Sequence, residues 1–296
     1  MLPDGLAPDP TRSLPVIRPQ QGGAGSWVGG PSVVADDGTI IMAYRRRRPV
    51  EEGRGHAIVI ARSADGEHFE PIQAITKDEM DAESLERPAL TVTQDGTWRL
   101  YLSCATWGTK HWRVEVLEAR SPDSFEPAQR SVMLPGDATR AIKDPVFAWH
   151  NSKWHMWACV HPLTDPDGTD RMWTEYAVSA DGLEWTWQGP ALEPRPGEWD
   201  ARGTRVSAIR FVPDGVIAYY DGRATAEENF EERTGMAFGP TPGTLTATGS
   251  GPVAQSPYGR HGLRYLSILP LPDGHERLYY ELTRADGSHE LRTELR

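Results

Sequence analysis

Apolar residues in this chain come in short runs that alternate with polar ones and break at tight turns. "PSVVADDGTIIMAY", "PALTVTQDGTWRLYLSC", "PVFAWHNSKWHMWACV", "SAIRFVPDGVIAYYDG" and "LSILPLPDGHERLYYEL" each place two such runs around a turn dipeptide. A period of two predicts strands, and Asp-Gly between two strands predicts a hairpin, because both residues accept the positive φ of a two-residue turn. The dipeptides are Asp37-Gly38, Asp95-Gly96, Asn151-Ser152, Asp214-Gly215 and Asp273-Gly274, at successive intervals of 58, 56, 63 and 59 residues. No segment sustains a 3.6-residue apolar period for more than about two turns, so no long helix is predicted.

A second phrase keeps step with the first. "ARSADGEHFEP" (61–71), "ARSPDSFEP" (119–127) and "AVSADGLEWTW" (177–187) place a third strand, a turn and the start of a fourth roughly 25 residues after each hairpin turn. Pro31, Pro88 and Pro145 open the first three units 57 residues apart, where a missing N–H costs least. Four strands per unit in five units predict an all-β fold, a five-bladed β-propeller of four-stranded antiparallel blades in one domain spanning 1–296. The expected blades are 27–78, 84–135, 141–193, 202–253 and 261–296. The last has chain for only three strands, so the N-terminal segment 14–19 is expected to supply the fourth and close the ring.

Composition then narrows the function. With a formal net charge of −11, the chain is a poor partner for nucleic acid or an anionic membrane. Its two cysteines, Cys104 and Cys159, are too few for a disulfide framework and read as buried thiols. The start "MLPDGLAPDPTRSLPVIRPQ" has no basic head followed by an apolar run, so neither a signal peptide nor an anchor is predicted and a cytoplasmic location is expected. His56, His111, His155, His161 and His261 are scattered without ligand spacing, so no cofactor or metal ligand set is assigned, and an axial metal ion is left open.

In a propeller the first strand of each blade is innermost, and its start lies beside the end of the second strand. The first-strand openings carry Gly30, Glu86 and Arg87, Lys143 and Asp144, Arg205 and Arg264. The second-strand endings carry Tyr44 and Arg45, Ser103 and Cys104, Cys159 and His161, Tyr220 and Asp221, and Tyr280 and Glu281. The following loops add the arginine run 45–48, Trp107, His111, Arg202, Arg223 and the acidic stretch 227–232. So many charges at one mouth fit a ligand pocket better than a core, although pairing between blades explains each of them individually. Trp27, Trp107, Trp112, Trp173 and Trp199 fall near this face and offer sugar-stacking surfaces; Trp98, Trp149, Trp154, Trp157, Trp185 and Trp187 fall within strands and read as packing.

With "RPAL" (87–90) in the second unit and "KDPV" (143–146) in the third, the repeat resembles the five-bladed propeller glycosidases, the superfamily that includes glycoside hydrolase families 43, 32, 62, 117 and 130. The resemblance implies a base or nucleophile at the first strand of blade one, an orienting Asp in the third blade's "DP" motif and a Glu farther along as acid. Asp144 matches the second of these. Gly30 stands where the first would be and Arg205 where the third would be, so two-carboxylate hydrolysis needs a substitute.

Asp221 is the best substitute for proton transfer, with Asp144 as orienting or general-base carboxylate. Arg87 and Arg205 are the expected substrate clamps, supported by Arg264, Arg45, Arg223, Glu86, Tyr220, Trp107 and His111. Guanidinium forks bind carboxylate, sulfate or phosphate bidentately, which favours an anionic sugar. The expected function is hydrolysis or transfer at a glycosidic bond of a small carbohydrate. The alternatives are a propeller that has lost the carboxylate pair and binds an anionic ligand or catalyses another reaction, and a glycoside phosphorylase. A sialidase fits less well, because the "SADG" phrase departs from the Asp-box spacing and sialidases need six blades.

Overall fold

The computed structural model describes residues 7–296; residues 1–6 of the expected domain lie outside it. Strand β1 (Leu14–Ile17) comes first. It is followed by a meander of β2 (Trp27–Asp36), β3 (Thr39–Arg47), β4 (Gly55–Ser63) and β5 (Glu70–Thr76), then by a second of β6 (Leu85–Val92), β7 (Trp98–Ala105), β8 (Trp112–Ala119) and β9 (Ser131–Leu134). Two further four-stranded meanders are β10 (Arg140–His150), β11 (Lys153–Pro162), β12 (Trp173–Ser179) and β13 (Thr186–Leu192), and β14 (Gly203–Val212), β15 (Gly215–Arg223), β16 (Arg233–Thr241) and β17 (Thr244–Ala247). The chain ends in β18 (Leu263–Pro270), β19 (Glu276–Thr283) and β20 (His289–Leu295). Neighbouring strands within each meander pair antiparallel.

Strand β1 pairs antiparallel with β20, Leu14 opposite Thr293 and Ile17 opposite Leu291. A single parallel bridge, Trp27 to His289, joins the last sheet to the first. The first strands touch in the cyclic order β2, β6, β10, β14, β18 and back to β2. Among the described residues, no helix is long and apolar enough to cross a membrane.

The faces between sheets carry the core. Ile58, Ile60, Leu100 and Leu102 from β4 and β7 are completely buried in one cluster, and each such side chain contributes about 1.5–3 kcal/mol through burial. Both cysteines are buried and free. The repeated "SADG" phrase has a local cause. Ser63 Oγ accepts from Gly66 N at 2.8 Å while Asp65 Oδ1 accepts from the amides of Glu67 and His68, and Ser179, Asp181 and Gly182 build the same turn. Each turn then docks on another meander: the Gly66 carbonyl accepts from Tyr279 Oη at 2.9 Å, and that of Gly182 from Tyr101 Oη at 3.1 Å.

One irregularity recurs and sets up the site. In every first strand the ladder to its partner slips, between Gly29 and Ser32, Leu85 and Pro88, Lys143 and Val146, Val206 and Ala208, and Arg264 and Ser267. A bulge re-aims the residues it releases. Gly30, Asp144 and Tyr265 lie in these bulges at φ of 62°, 51° and 55°.

Candidate functional site

The released residues converge on a network of buried charges around Arg205, which is 2% exposed. Its Nη1 donates to Asp144 Oδ2 at 3.0 Å, while Nε and Nη2 donate to Asp221 Oδ2 at 3.1 and 3.0 Å. Its guanidinium lies 3.9 Å from the centre of the Tyr265 ring. Asp144 also accepts from the Arg87 amide at 3.2 Å and faces Lys143 Nζ at 3.7 Å. The other oxygen of Asp221 accepts from the Tyr265 amide at 3.0 Å.

A second centre adjoins the first. Glu281 Oε1 accepts from Arg264 Nε and Nη2 at 2.9 and 2.7 Å and contacts His289 Nδ1 at 2.6 Å. Arg264 Nη1 reaches Glu232 Oε2 at 2.6 Å, and Arg223 Nη1 reaches Glu232 Oε1 at 2.8 Å. Arg45 closes the circuit by pairing with Glu86 and, at 3.5 Å, with Glu281.

The electrostatics separate the two aspartates. Burial opposes ionisation of Asp144, but Lys143, Arg205, Arg45 and Arg87 outweigh it and hold the carboxyl below its ordinary value. For Asp221 burial wins over Arg205 and Arg87, with Glu232 adding to it, and the carboxyl is raised. Two carboxyls whose environments push them apart in this way can serve as an acid and a base. Burial, with Lys143 and Arg223 nearby, lowers His161 to about 3 and keeps it neutral. Lys143 is itself lowered, chiefly by burial.

Above this network opens a cavity of about 180 Å³. Lys143, Arg205, Arg223, Arg264, Glu86 and Glu232 line it, with Tyr265 on its floor and Trp112 and Phe230 among its walls. Of the residues expected from sequence, Asp144, Asp221, Arg205, Arg264, Arg45, Arg223 and Glu86 are thus brought into one connected set. Asp144 and Asp221 are fully buried beneath the cavity.

Other expected residues lie elsewhere. Arg87 turns its guanidinium onto the axis, where Nη2 donates to the carbonyls of Ser207 at 2.8 Å, Leu266 at 3.1 Å and Pro31 at 3.5 Å, and it lines a cavity on the opposite side. It is therefore an axial plug here and not a clamp in the upper cavity. Its root packs against Gly30: a Cβ there would lie 3.3 Å from Cα, Cβ and Cγ of Arg87, so the bare glycine eases a tight approach. Tyr220 gives its hydroxyl to Asp200 at 2.8 Å and stacks on Trp199 between meanders. Trp107 bonds Asp81 on the surface, and His111 bonds Thr106.

Tyr265, Glu232 and His289 carry more of the network than their sequence signals suggested. Tyr265 had a signal available. Gly30, Arg87, Asp144, Ser207 and Tyr265 follow one another by 57, 57, 63 and 58 residues, the same rhythm as the turns. Among the described residues, no group of three His, Cys, Asp or Glu is placed to hold a metal ion.

No family model and no curated protein matches the sequence. Solved structures do match along nearly the whole chain. A thermostable family-43 glycoside hydrolase is 12% identical with a TM-score of 0.70, covering 93% of this chain and 90% of its own. An α-L-arabinofuranosidase from Lactobacillus brevis is 18% identical with a TM-score of 0.67, covering 90% of each. A β-1,2-mannobiose phosphorylase from Listeria innocua is 17% identical with a TM-score of 0.65, covering 96% and 94%. At these identities what is shared is architecture: the chain is an all-β protein with the propeller fold of family-43 glycosidases and family-130-type phosphorylases.

Proposed function

We propose that the chain is a single-domain, five-bladed propeller closed by β1, and that its axial cavity receives a small anionic carbohydrate on which it acts in the manner of a glycosidase. The cyclic contacts of the first strands and the β1–β20 pairing support the architecture. Charge carries the ligand class. Arg54, Lys110, Lys143, Arg205, Arg223 and Arg264 line the cavity against Glu86, Asp170 and Glu232, and each of those acids already has an arginine partner. Lys110 is exposed at the rim, and among the deeper cations Lys143 has only the 3.7 Å contact to Asp144 and lies 4.9 Å from the Trp112 ring centre, so of these it has the weakest carboxylate partner. Trp112 and Phe230 supply faces for a sugar ring.

The reacting groups in this reading are Asp221 as proton donor and Asp144 as its ionised counterpart. An anionic group on the ligand gives Arg205 a partner outside the network and frees the two carboxylates that it now spans. Uronic acids and sugar phosphates are expected to raise the unfolding temperature while their neutral counterparts do not, and Lys143→Ala is expected to weaken that binding by about tenfold. Equal responses to neutral and acidic sugars sink the ligand class. For the chemistry, Asp221→Asn and Asp144→Asn are each expected to lower turnover of an aryl uronide by about a hundredfold or more; unchanged rates exclude these roles.

One observation favours a rival, binding without hydrolysis. Retaining glycosidases keep their carboxyl groups about 5–5.5 Å apart with the scissile bond between them, whereas the space between Asp144 and Asp221 holds the Arg205 guanidinium. Acidic sugars that bind while no glycoside of the panel is cleaved identify the rival as correct.

A further inference from the structure

A cleft of about 360 Å³ lies beside the axial cavity, on the far side of Trp27. Arg18, Arg46, Arg47, Arg48 and His56 line it, with Glu52 as the lining carboxylate. In a chain of net charge −11, such arginines ordinarily find acidic neighbours, as Arg45 does with Glu86 and Glu281. Arg18 has Glu290 at 3.4 Å. Among the described residues, Arg46, Arg47 and Arg48 have no carboxylate within ion-pair distance.

Arg47 is the centre of this cleft. It is 6% exposed, with its guanidinium 3.9 Å from the Trp27 ring centre and 4.9 Å from that of Phe230. Its hydrogen bonds are two long ones, from Nη1 to the carbonyls of Gly25 at 3.4 Å and Arg48 at 3.5 Å. Burial, followed by the neighbouring charge of Arg45 and Arg264, pulls its pKa down to about 9. Trp27, which also lines the cleft, has a buried indole Nε1–H with no acceptor. Stacking fixes the orientation of the Arg47 fork, so little freedom is lost when an oxyanion meets it. Unpaired cations lining a cleft, with an orphan N–H on one of its residues, are complementary to closely spaced, multiply charged oxygens.

We propose that this cleft is a second binding site, distinct from the axial cavity, for a group carrying two adjacent tetrahedral oxyanions, a diphosphate or a pair of sulfate esters. Arg46 and Arg48 meet the outer anion and Arg47 the inner one. The volume suits a ligand fragment rather than a lone ion.

Calorimetric titration of the full chain with inorganic pyrophosphate, and separately with a disulfated disaccharide, tests this at constant ionic strength. Whichever probe binds more tightly identifies the source of the oxyanions. Arg46→Ala/Arg48→Ala, at one half-buried and one exposed position, is expected to weaken that probe by about tenfold or more, while Lys143→Ala leaves it within about twofold. In the wild-type protein the Trp27 indole N–H resonance is expected to shift during the titration, a readout that does not depend on any variant folding. Failure of both probes to bind at millimolar concentration overturns the proposal. So does loss of binding on Lys143→Ala with retention in the double arginine variant.

Discussion

Arg205→Met is expected to cost about 3–5 kcal/mol of folding stability, the loss that follows when one partner of a buried ion network is removed. Methionine fills much of the volume over Tyr265, but Asp144 and Asp221 lose the shared cation that each touches at about 3 Å. The pH dependence should change with it. In the wild type, Asp144 is held below its unfolded value, so its contribution is present above that value and lost as pH falls through the folded one. Asp221 is raised, so its contribution is full below the unfolded value and lost as pH rises through the folded one. The two slopes oppose each other. Without Arg205 both carboxyls lose a cation and move up, so stability should fall more steeply than in the wild type as pH rises above the unfolded carboxylate range, from about pH 4 upward. Urea midpoints across that range for both proteins check it; parallel profiles mean that the network does not set the titration of either aspartate.

Gly29→Ala is the second large effect. A Cβ at this position would lie 1.5 Å from Glu281 Oε2 and 2.2 Å from its carboxyl carbon. Glu281 is completely buried and holds Arg264 through two hydrogen bonds and His289 through a third, so it has nowhere to retreat without breaking those contacts. One methyl group should therefore cost about 3 kcal/mol or more, the scale of a disrupted buried network. Gly251→Ala is the matched control, since a Cβ there meets nothing within 4 Å. Urea unfolding of the pair gives the comparison, and similar midpoints would show that Glu281 relocates at little cost.

Much of the architecture was legible because each unit repeats a strong local signal. Asp-Gly turns, first-strand prolines and the Ser-Ala-Asp-Gly phrase depend on short-range chemistry, and the Ser63 and Ser179 turns reproduce one hydrogen-bonding pattern. The site was legible to the level of neighbourhood. Strand polarity alone brings Asp144, Asp221, Arg205 and Arg264 to one end. It does not reveal which acid each arginine takes, because that depends on bulges that rotate Asp144 and Tyr265 into left-handed backbone. The direction of Arg87 was hidden for a related reason. It depends on carbonyls of three other strands, and the root of the side chain packs against Gly30, 57 positions earlier in the sequence.

The Arg87 guanidinium also decides how solutes travel. By taking carbonyl oxygens from β2, β14 and β18 it stands as a bulkhead across the middle of the molecule. The cavity beneath it, lined by Arg87, Ser32 and Ser207, is cut off from the one above. A ligand of the kind proposed would therefore have to enter and leave the upper cavity from its own side of the Arg87 guanidinium, and not along the axis.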